Sequence, residues 1–281
     1  MNGEGPRELG PETPPPEGVV PPPLPPAQVI RAQAPHVRDR WAHRRGEPRT
    51  FAAAWILFLF GATVVSVGAV GAFGLLSADV YRPAARVMVE ITAVGVAVLW
   101  PMVRLSQETP RRPLRAMAQD LIVMLGPVQA VVWPQALVWM AAWPVSVVLC
   151  LDLFVCGWGV LIGGLLATYF LRPRVGRWAM MALLLLLVLV GPVVAALRQP
   201  GAAAAMDPAL SQPAVEWLMS SPLTGVYEIT RDRSWTGLHA RVDARHWAGV
   251  VLVWAGAVAS WGVAGWLGRG RPGVARGPGV A

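Results

Sequence analysis

The chain of 281 residues contains no lysine; all 24 of its basic residues are arginine. This absence excludes an ordinary P-loop, whose lysine contacts the β- and γ-phosphates, and it excludes Schiff-base chemistry on lysine. Charge is also scarce, at 14% of residues, whereas soluble domains carry about 25%. Cysteine is limited to Cys150 and Cys156. Both fall in one apolar run, project from different faces of a helix, and make neither a disulfide framework nor a CxxC site. There is no HExxH, no GxSxG and no paired-cysteine motif, so the sequence predicts neither an enzyme nor a cofactor. The four histidines (His36, His43, His239 and His246) lie outside the apolar runs. Among them, His239 and His246 with Asp243 have a spacing that a metal would tolerate, and they are equally ordinary loop residues.

What is present is apolar: 55% of residues are hydrophobic and the mean hydropathy is +0.49. Six runs are long enough to cross a hydrocarbon core of about 30 Å. They are predicted at 51–75, 84–104, 117–140, 145–171, 178–197 and 247–267. The third is interrupted by Pro127 and Pro134, which leaves five spans plus a re-entrant segment as the alternative. The predicted class is an all-α integral membrane protein with about six transmembrane helices and the lipid bilayer as its first partner. Residues 1–35 hold ten prolines by Pro26. They are expected to form a disordered polyproline-type tail, since too little apolar surface is available to bury. Residues 36–50 place Val37 and Trp41 on one helical face among arginines, the pattern of a basic amphipathic surface helix. The six-helix domain spans 51–268, and 269–281 form a C-terminal tail.

The net charge of +8 would suggest nucleic acid in a soluble protein. Here the arginines flank apolar spans, and the positive-inside rule accounts for them without a nucleic-acid partner. Arg38, Arg40, Arg44, Arg45 and Arg49 precede the first span. Arg104, Arg111, Arg112 and Arg115 follow the second, Arg172, Arg174 and Arg177 the fourth, and Arg269, Arg271 and Arg276 the sixth. The opposite connections are poorer in arginine, so both termini are predicted to be cytoplasmic. The long outer connection, 198–246, balances its arginines with acids. Within it, Val215, Leu218 and Met219 suggest a short apolar helix started by Pro213 and broken at Ser221-Pro222-Leu223. Such a helix would rest on the outer membrane face or cap the bundle.

Polar residues inside spans are expensive and therefore informative. Counted along their helices, Glu90, Gln135 and Asp152 fall on one level in the outer half of the bilayer. They form either a polar ledge lining a path or a set of packing hydrogen bonds. Arg86 is spaced to pair with Glu90 along the same helix. Gly159 and Gly163, and the stripe Gly256, Ser260 and Ala264, permit close helix approach within the chain or between copies. Of the 14 tryptophans, Trp139, Trp143 and Trp247 fall near the outer boundary and Trp100, Trp178 and Trp266 near the inner one. All six read as interface anchors.

Together these features resemble the permease subunits of ABC-2-type exporters. The likeness covers roughly 36–268 and rests on topology. It comprises a basic surface helix before span one, six spans with both termini inside, and a short basic loop after span two. It also includes a long outer connection with a short apolar helix, and the proline-containing stretch Ser221-Pro222-Leu223-Thr224-Gly225-Val226-Tyr227. The resemblance implies that 107–119, with Glu108, Arg111, Arg112 and Arg115, touches a separate ATPase subunit and that the chain works as a dimer. The proline-rich tail departs from the family outline. The competing class is a non-transporting membrane scaffold whose intramembrane polar residues only pack the bundle.

Overall fold

The computed structural model describes residues 48–71, 78–174, 176–198, 218–232 and 240–269. The proline-rich tail, nearly all of the basic helix predicted at 36–50, residues 199–217 of the long connection and the C-terminal tail beyond Arg269 lie outside the described residues. All regular structure among the described residues is helical. Six helices are long and apolar enough to cross a membrane, in agreement with the predicted class. They are supplied by α1 (Pro48–Gly71), α2 (Ala78–Val94) running on into α3 (Trp100–Ser106), α4 (Pro113–Val132), α5 (Val145–Leu171), α6 (Arg177–Arg198) and α8 (Ala244–Arg269). The short α7 (Pro222–Thr230) lies between the last two spans.

Two irregularities follow from proline. Pro101 has no N–H to donate to the carbonyl of residue 97. The helix widens there into a π segment, Gly95–Leu99, in which the Trp100 N–H bonds Gly95 O. Gly95 also permits close packing, because a Cβ at that position would run into the rings of Trp55 and Phe58 on α1. The third span ends sooner than its apolar run predicts. α4 stops at Val132, tightens into a 3₁₀ turn over Trp133–Ala136 around Pro134, and turns extended at Leu137. Residues 138–144 then form an irregular connection with Ala142 in the left-handed region (φ 51°).

α5 is the centre of the bundle. At 27 residues it is about 40 Å long, and it packs against α4, α7 and α8. Its glycines serve two sides. Gly159 faces Leu125, Val96 and Met124, and Gly163 faces Leu121 and Trp100, so this GxxxG closes contacts within the chain. Gly157 and Gly164, seven residues apart, face Trp254 and the Ser260–Trp261 pair of α8. The indole N–H groups of Trp254 and Trp261 donate to Leu153 O (2.9 Å) and Val160 O (2.8 Å) of α5. Ser260 adds Oγ to Leu161 O at 3.5 Å, and a Cβ on Gly256 would touch Leu161 at 3.6 Å. On the far side, α1 docks through Trp55 Nε1, which donates to Met124 O at 2.8 Å. Trp100 and Trp143 are core residues, each only 1% exposed, and not boundary anchors. The tight packing at Gly163 and the core around Val147 hold them inside. Trp139, Trp178 and Trp266 are exposed, as anchors require, and Trp247 is half-buried.

Because lipid tails are as apolar as leucine, close approach and indole-to-carbonyl bonds carry the α5–α8 association. A side chain at Gly164 would strike Ser260 and Trp261, and overpacking of this kind costs about 1–3 kcal/mol. Gly164→Leu should therefore lower the thermal midpoint of the protein in mild detergent by several degrees. Gly262→Leu, where a Cβ meets nothing within 4 Å, should leave the midpoint unchanged.

Candidate functional site

Two polar networks lie inside the bundle. The first joins α4 and α5. Asp152, 9% exposed, accepts at Oδ1 from Gln129 Nε2 (2.9 Å) and from the Cys156 thiol one turn along (3.5 Å). Gln129 in turn accepts at Oε1 from Trp133 Nε1 at 2.8 Å. Asp152 forms no ion pair among the described residues. Of the three residues expected on one ledge, none is hydrogen-bonded to another. Gln135 sits in the 3₁₀ turn, donates to Val131 O (2.9 Å) and leaves its buried Oε1 without a partner among the described residues. Glu90 stays on α2, half-buried. The partner that sequence reasoning missed is Gln129. It lies one residue beyond Val128 on a proline-containing span, and only the α4–α5 pairing shows that it faces Asp152.

The second network holds α7. The short helix expected from Pro213 lies mostly in 212–217, outside the described residues; the described helix, α7, begins after a turn at Pro222, and Leu218 and Met219 are buried at its base. Proline suits the first helical position, where its missing N–H has no intrahelical partner anyway. α7 is packed within the bundle, with Pro222, Gly225, Val226, Glu228, Ile229 and Thr230 all buried. Gly225 lies on the ring of Phe154, and Gly191 of α6 makes room for Ser221 and Thr224. Ser221 Oγ donates to Val188 O. Phe154 lies nine residues into α5 and Val188 ten residues from the end of α6, which puts the base of α7 roughly 14 Å below that end of the bundle. α7 is thus a short helix packed against α2, α5 and α6.

Its upper end is tied to α2. Arg86 donates to Thr230 O (2.8 Å) and to Thr230 Oγ1 (3.2 Å), and its guanidinium carbon lies 5.5 Å from the centre of the Tyr227 ring. It also pairs with Asp232 at 3.5 Å. Arg86 thus turns to α7, and its close ion pair among the described residues is with Asp232. A cation at the last carbonyl of a helix also meets the negative end of the helix dipole. Arg82, buried beside it, donates from Nε to Ala141 O (2.9 Å) and stands 3.9 Å from Asp232. Arg231 pairs with the buried Glu228 at 3.5 Å.

At the opposite end, Arg104 Nε is 3.1 Å from Asp120 Oδ2. The pair holds by distance, although the N–H is not directed at that oxygen. Glu108, Arg111, Arg112 and Arg115 are all exposed on the α3–α4 connection and the first turn of α4. Of the suggested metal trio, His239 lies outside the described residues. Asp243 caps α8, with Oδ1 accepting from the N–H groups of Arg245 (2.9 Å) and His246 (3.3 Å). The His246 ring is fully buried. Its Nδ1 lies 2.8 Å from Asp243 Oδ1 and 3.1 Å from the Asp243 N–H, donating to the former when protonated and accepting from the latter when not. Among the described residues no three His, Cys, Asp or Glu side chains group as a metal site would.

These features define the chain as a polytopic all-α membrane protein with a short buried helix before its last span. No family model, curated protein or solved structure matches it.

Two outcomes follow from the site. Arg86→Gln removes charge-assisted bonds of about 1.5–3 kcal/mol from the top of α7. It should make the 218–232 segment exchange amide hydrogens faster while α5 and α8 stay protected, read by hydrogen–deuterium exchange. For Asp243, burial raises the carboxyl pKa, but the bonds from the His246 N–H, the His246 ring and the Arg245 N–H outweigh burial and hold it below the ordinary value. A depressed folded-state value means that this stabilisation is complete above the unfolded value of about 3.9 and fades as pH falls through the lower, folded one. Asp243 is half exposed, so the effect is small. Asp243→Asn should flatten the acid limb of the melting temperature below about pH 4 and leave the midpoint at pH 7 nearly unchanged.

Proposed function

We propose that this chain is the membrane-spanning permease subunit of an ABC-type exporter, working with a separate ATPase subunit and a second copy of itself. The observation that carries this reading is α7, because the exporter outline calls for a short apolar helix in the long connection before the last span. In that connection the described short helix, α7, which contains the stretch Pro222–Tyr227, is built into the bundle and latched to α2. The lack of lysine is consistent with an ATPase supplied by another chain. In this reading the chain sits in the cytoplasmic membrane with both termini on the cytoplasmic side. The charge balance supports that orientation: Arg82, Arg86 and Arg231 at the α7 end are engaged by acids or carbonyls. Arg111, Arg112, Arg115, Arg172, Arg174 and Arg177 at the other end are exposed and make no ion pair among the described residues. The exposed side chains of Glu108, Arg111, Arg112 and Arg115 form the ATPase-contact loop.

One observation favours the second reading, a non-transporting scaffold. Asp152, the one charged residue of α5, is bonded inside the chain by Gln129 and Cys156, as a packing residue would be. Affinity purification from mild detergent separates the two. The exporter reading expects an ATPase to co-elute and Arg111→Gln/Arg112→Gln to reduce its recovery without lowering the thermal midpoint. Recovery of the chain alone, in native membranes where it is expressed normally, would sink the exporter reading and leave the scaffold.

A further inference from the structure

The end of the bundle opposite α7 carries positive charge that the described residues do not neutralise. Between Asp152 and Asp207 the sequence contains no acidic residue, and this acid-free stretch includes the hairpin connecting α5 to α6. Arg172, Arg174 and Arg177 on that hairpin are exposed, and among the described residues their side chains form no ion pair or hydrogen bond. The backbone beneath them is well anchored. The Arg172 N–H bonds Thr168 O (3.1 Å) and Tyr169 O (3.2 Å), Arg174 N–H bonds Arg172 O (2.8 Å), and Met180 N–H bonds Gly176 O (3.1 Å). Tyr169 and Phe170 pack edge to face under the turn, with ring centres 5.3 Å apart. Trp178, 79% exposed, folds its ring against Gly176, where a Cβ would come within 2.9 Å of Nε1. Even fully extended, the backbone from Arg172 to Arg177 spans no more than about 17 Å. Neighbouring guanidinium groups therefore lie within a Debye length or two, about 8–10 Å each, and their fields add.

The hairpin is also placed at an apolar edge. Below Trp178 the outer face of α6 exposes Leu183, Leu186 and Leu189, a surface suited to acyl chains. An exposed indole beside arginines at the end of such a face marks the headgroup level of a bilayer. Guanidinium groups recognise phosphate through paired N–H donors. We propose that the α5–α6 hairpin binds the phosphate of anionic phospholipids, with Arg172, Arg174 and Arg177 on the headgroup and Trp178 and the α6 leucines along the upper acyl chain. Inorganic phosphate shares the headgroup chemistry but has no use for the apolar face, which favours the lipid. The site is separate from the loop bearing Glu108 and Arg111, and it does not depend on whether the chain is a transporter.

Native mass spectrometry of the full-length protein, released from mild detergent after incubation with phosphatidylglycerol or phosphatidylcholine of equal chain length, tests the proposal. Phosphatidylglycerol should be retained and phosphatidylcholine should not. An arginine near an anionic surface is worth about fivefold in binding, so Arg172→Gln/Arg174→Gln/Arg177→Gln should weaken phosphatidylglycerol retention about a hundredfold. If the triple variant does not elute as a folded species, Arg174→Gln alone should weaken it about fivefold. Arg241→Gln/Arg245→Gln, which removes charge at the opposite end, should change nothing. Equal retention by wild type and triple variant overturns the proposal. So does displacement of the lipid by millimolar inorganic phosphate, which would make the site one for soluble anions. Unchanged lipid retention with loss of a co-purifying protein would overturn it in favour of a protein contact.

Discussion

Everything in this bundle is arranged around a helix whose backbone can be touched from two sides. α5 carries Gly157 and Gly164 toward α8, and Gly159 and Gly163 toward α4 and the π segment. In water, burial of large side chains would drive such packing; in lipid that force is missing, and close backbone approach with directed hydrogen bonds replaces it. The seven-residue spacing of Gly157 and Gly164 repeats in Trp254 and Trp261, and again in their acceptors Leu153 and Val160. One helical period thus sets register, distance and hydrogen bonding at once. An interior carbonyl already accepts its own helix bond, and its second lone pair is what the indoles use.

The polar groups follow a second rule, that each backbone group and each charge in the bilayer must be satisfied from within the protein. α7 is the severe case. A nine-residue helix has few internal bonds relative to its free ends, so both ends need partners inside the bundle. Proline removes one orphan donor at the start, Ser221 ties the base to α6, and Arg86 closes the last carbonyl. Asp152 obeys the same rule through an amide and a thiol in place of a cation.

The spans were legible because a long apolar run needs only composition and length, which are local properties. The run from 145 to 171 is reproduced to the residue, because Pro144 before it and Arg172-Pro173 after it mark its ends sharply. The third span was misread at its end, where Pro134 turned four residues into a 3₁₀ turn that hydropathy does not register. Side-chain placement was less legible for a physical reason. Gln129 lies six residues before Gln135 on the same apolar stretch, and depth along a helix does not say which face meets α5. Trp100 and Trp143 have the right depth for interface anchors, yet their azimuth points inward. The Arg86–Glu90 spacing was a valid local pair that lost to a helix end supplied from 144 residues away.

The start of α7 shows that a proline that ends one helix can also begin the next. Read alone, Ser221-Pro222-Leu223 is a helix stop, since proline inside a helix costs about 3 kcal/mol. The same proline costs nothing at a first turn, and which of the two applies depends on where the preceding chain arrives. Here Leu218 and Met219 arrive already buried, Met219 against Gly249 of α8. The start of α7 then finds the carbonyl of Val188 on α6, and its end finds the guanidinium of Arg86 on α2. The bounds of α7 therefore follow from where its neighbours offer partners to its free ends, more than from the helix propensity of its own residues.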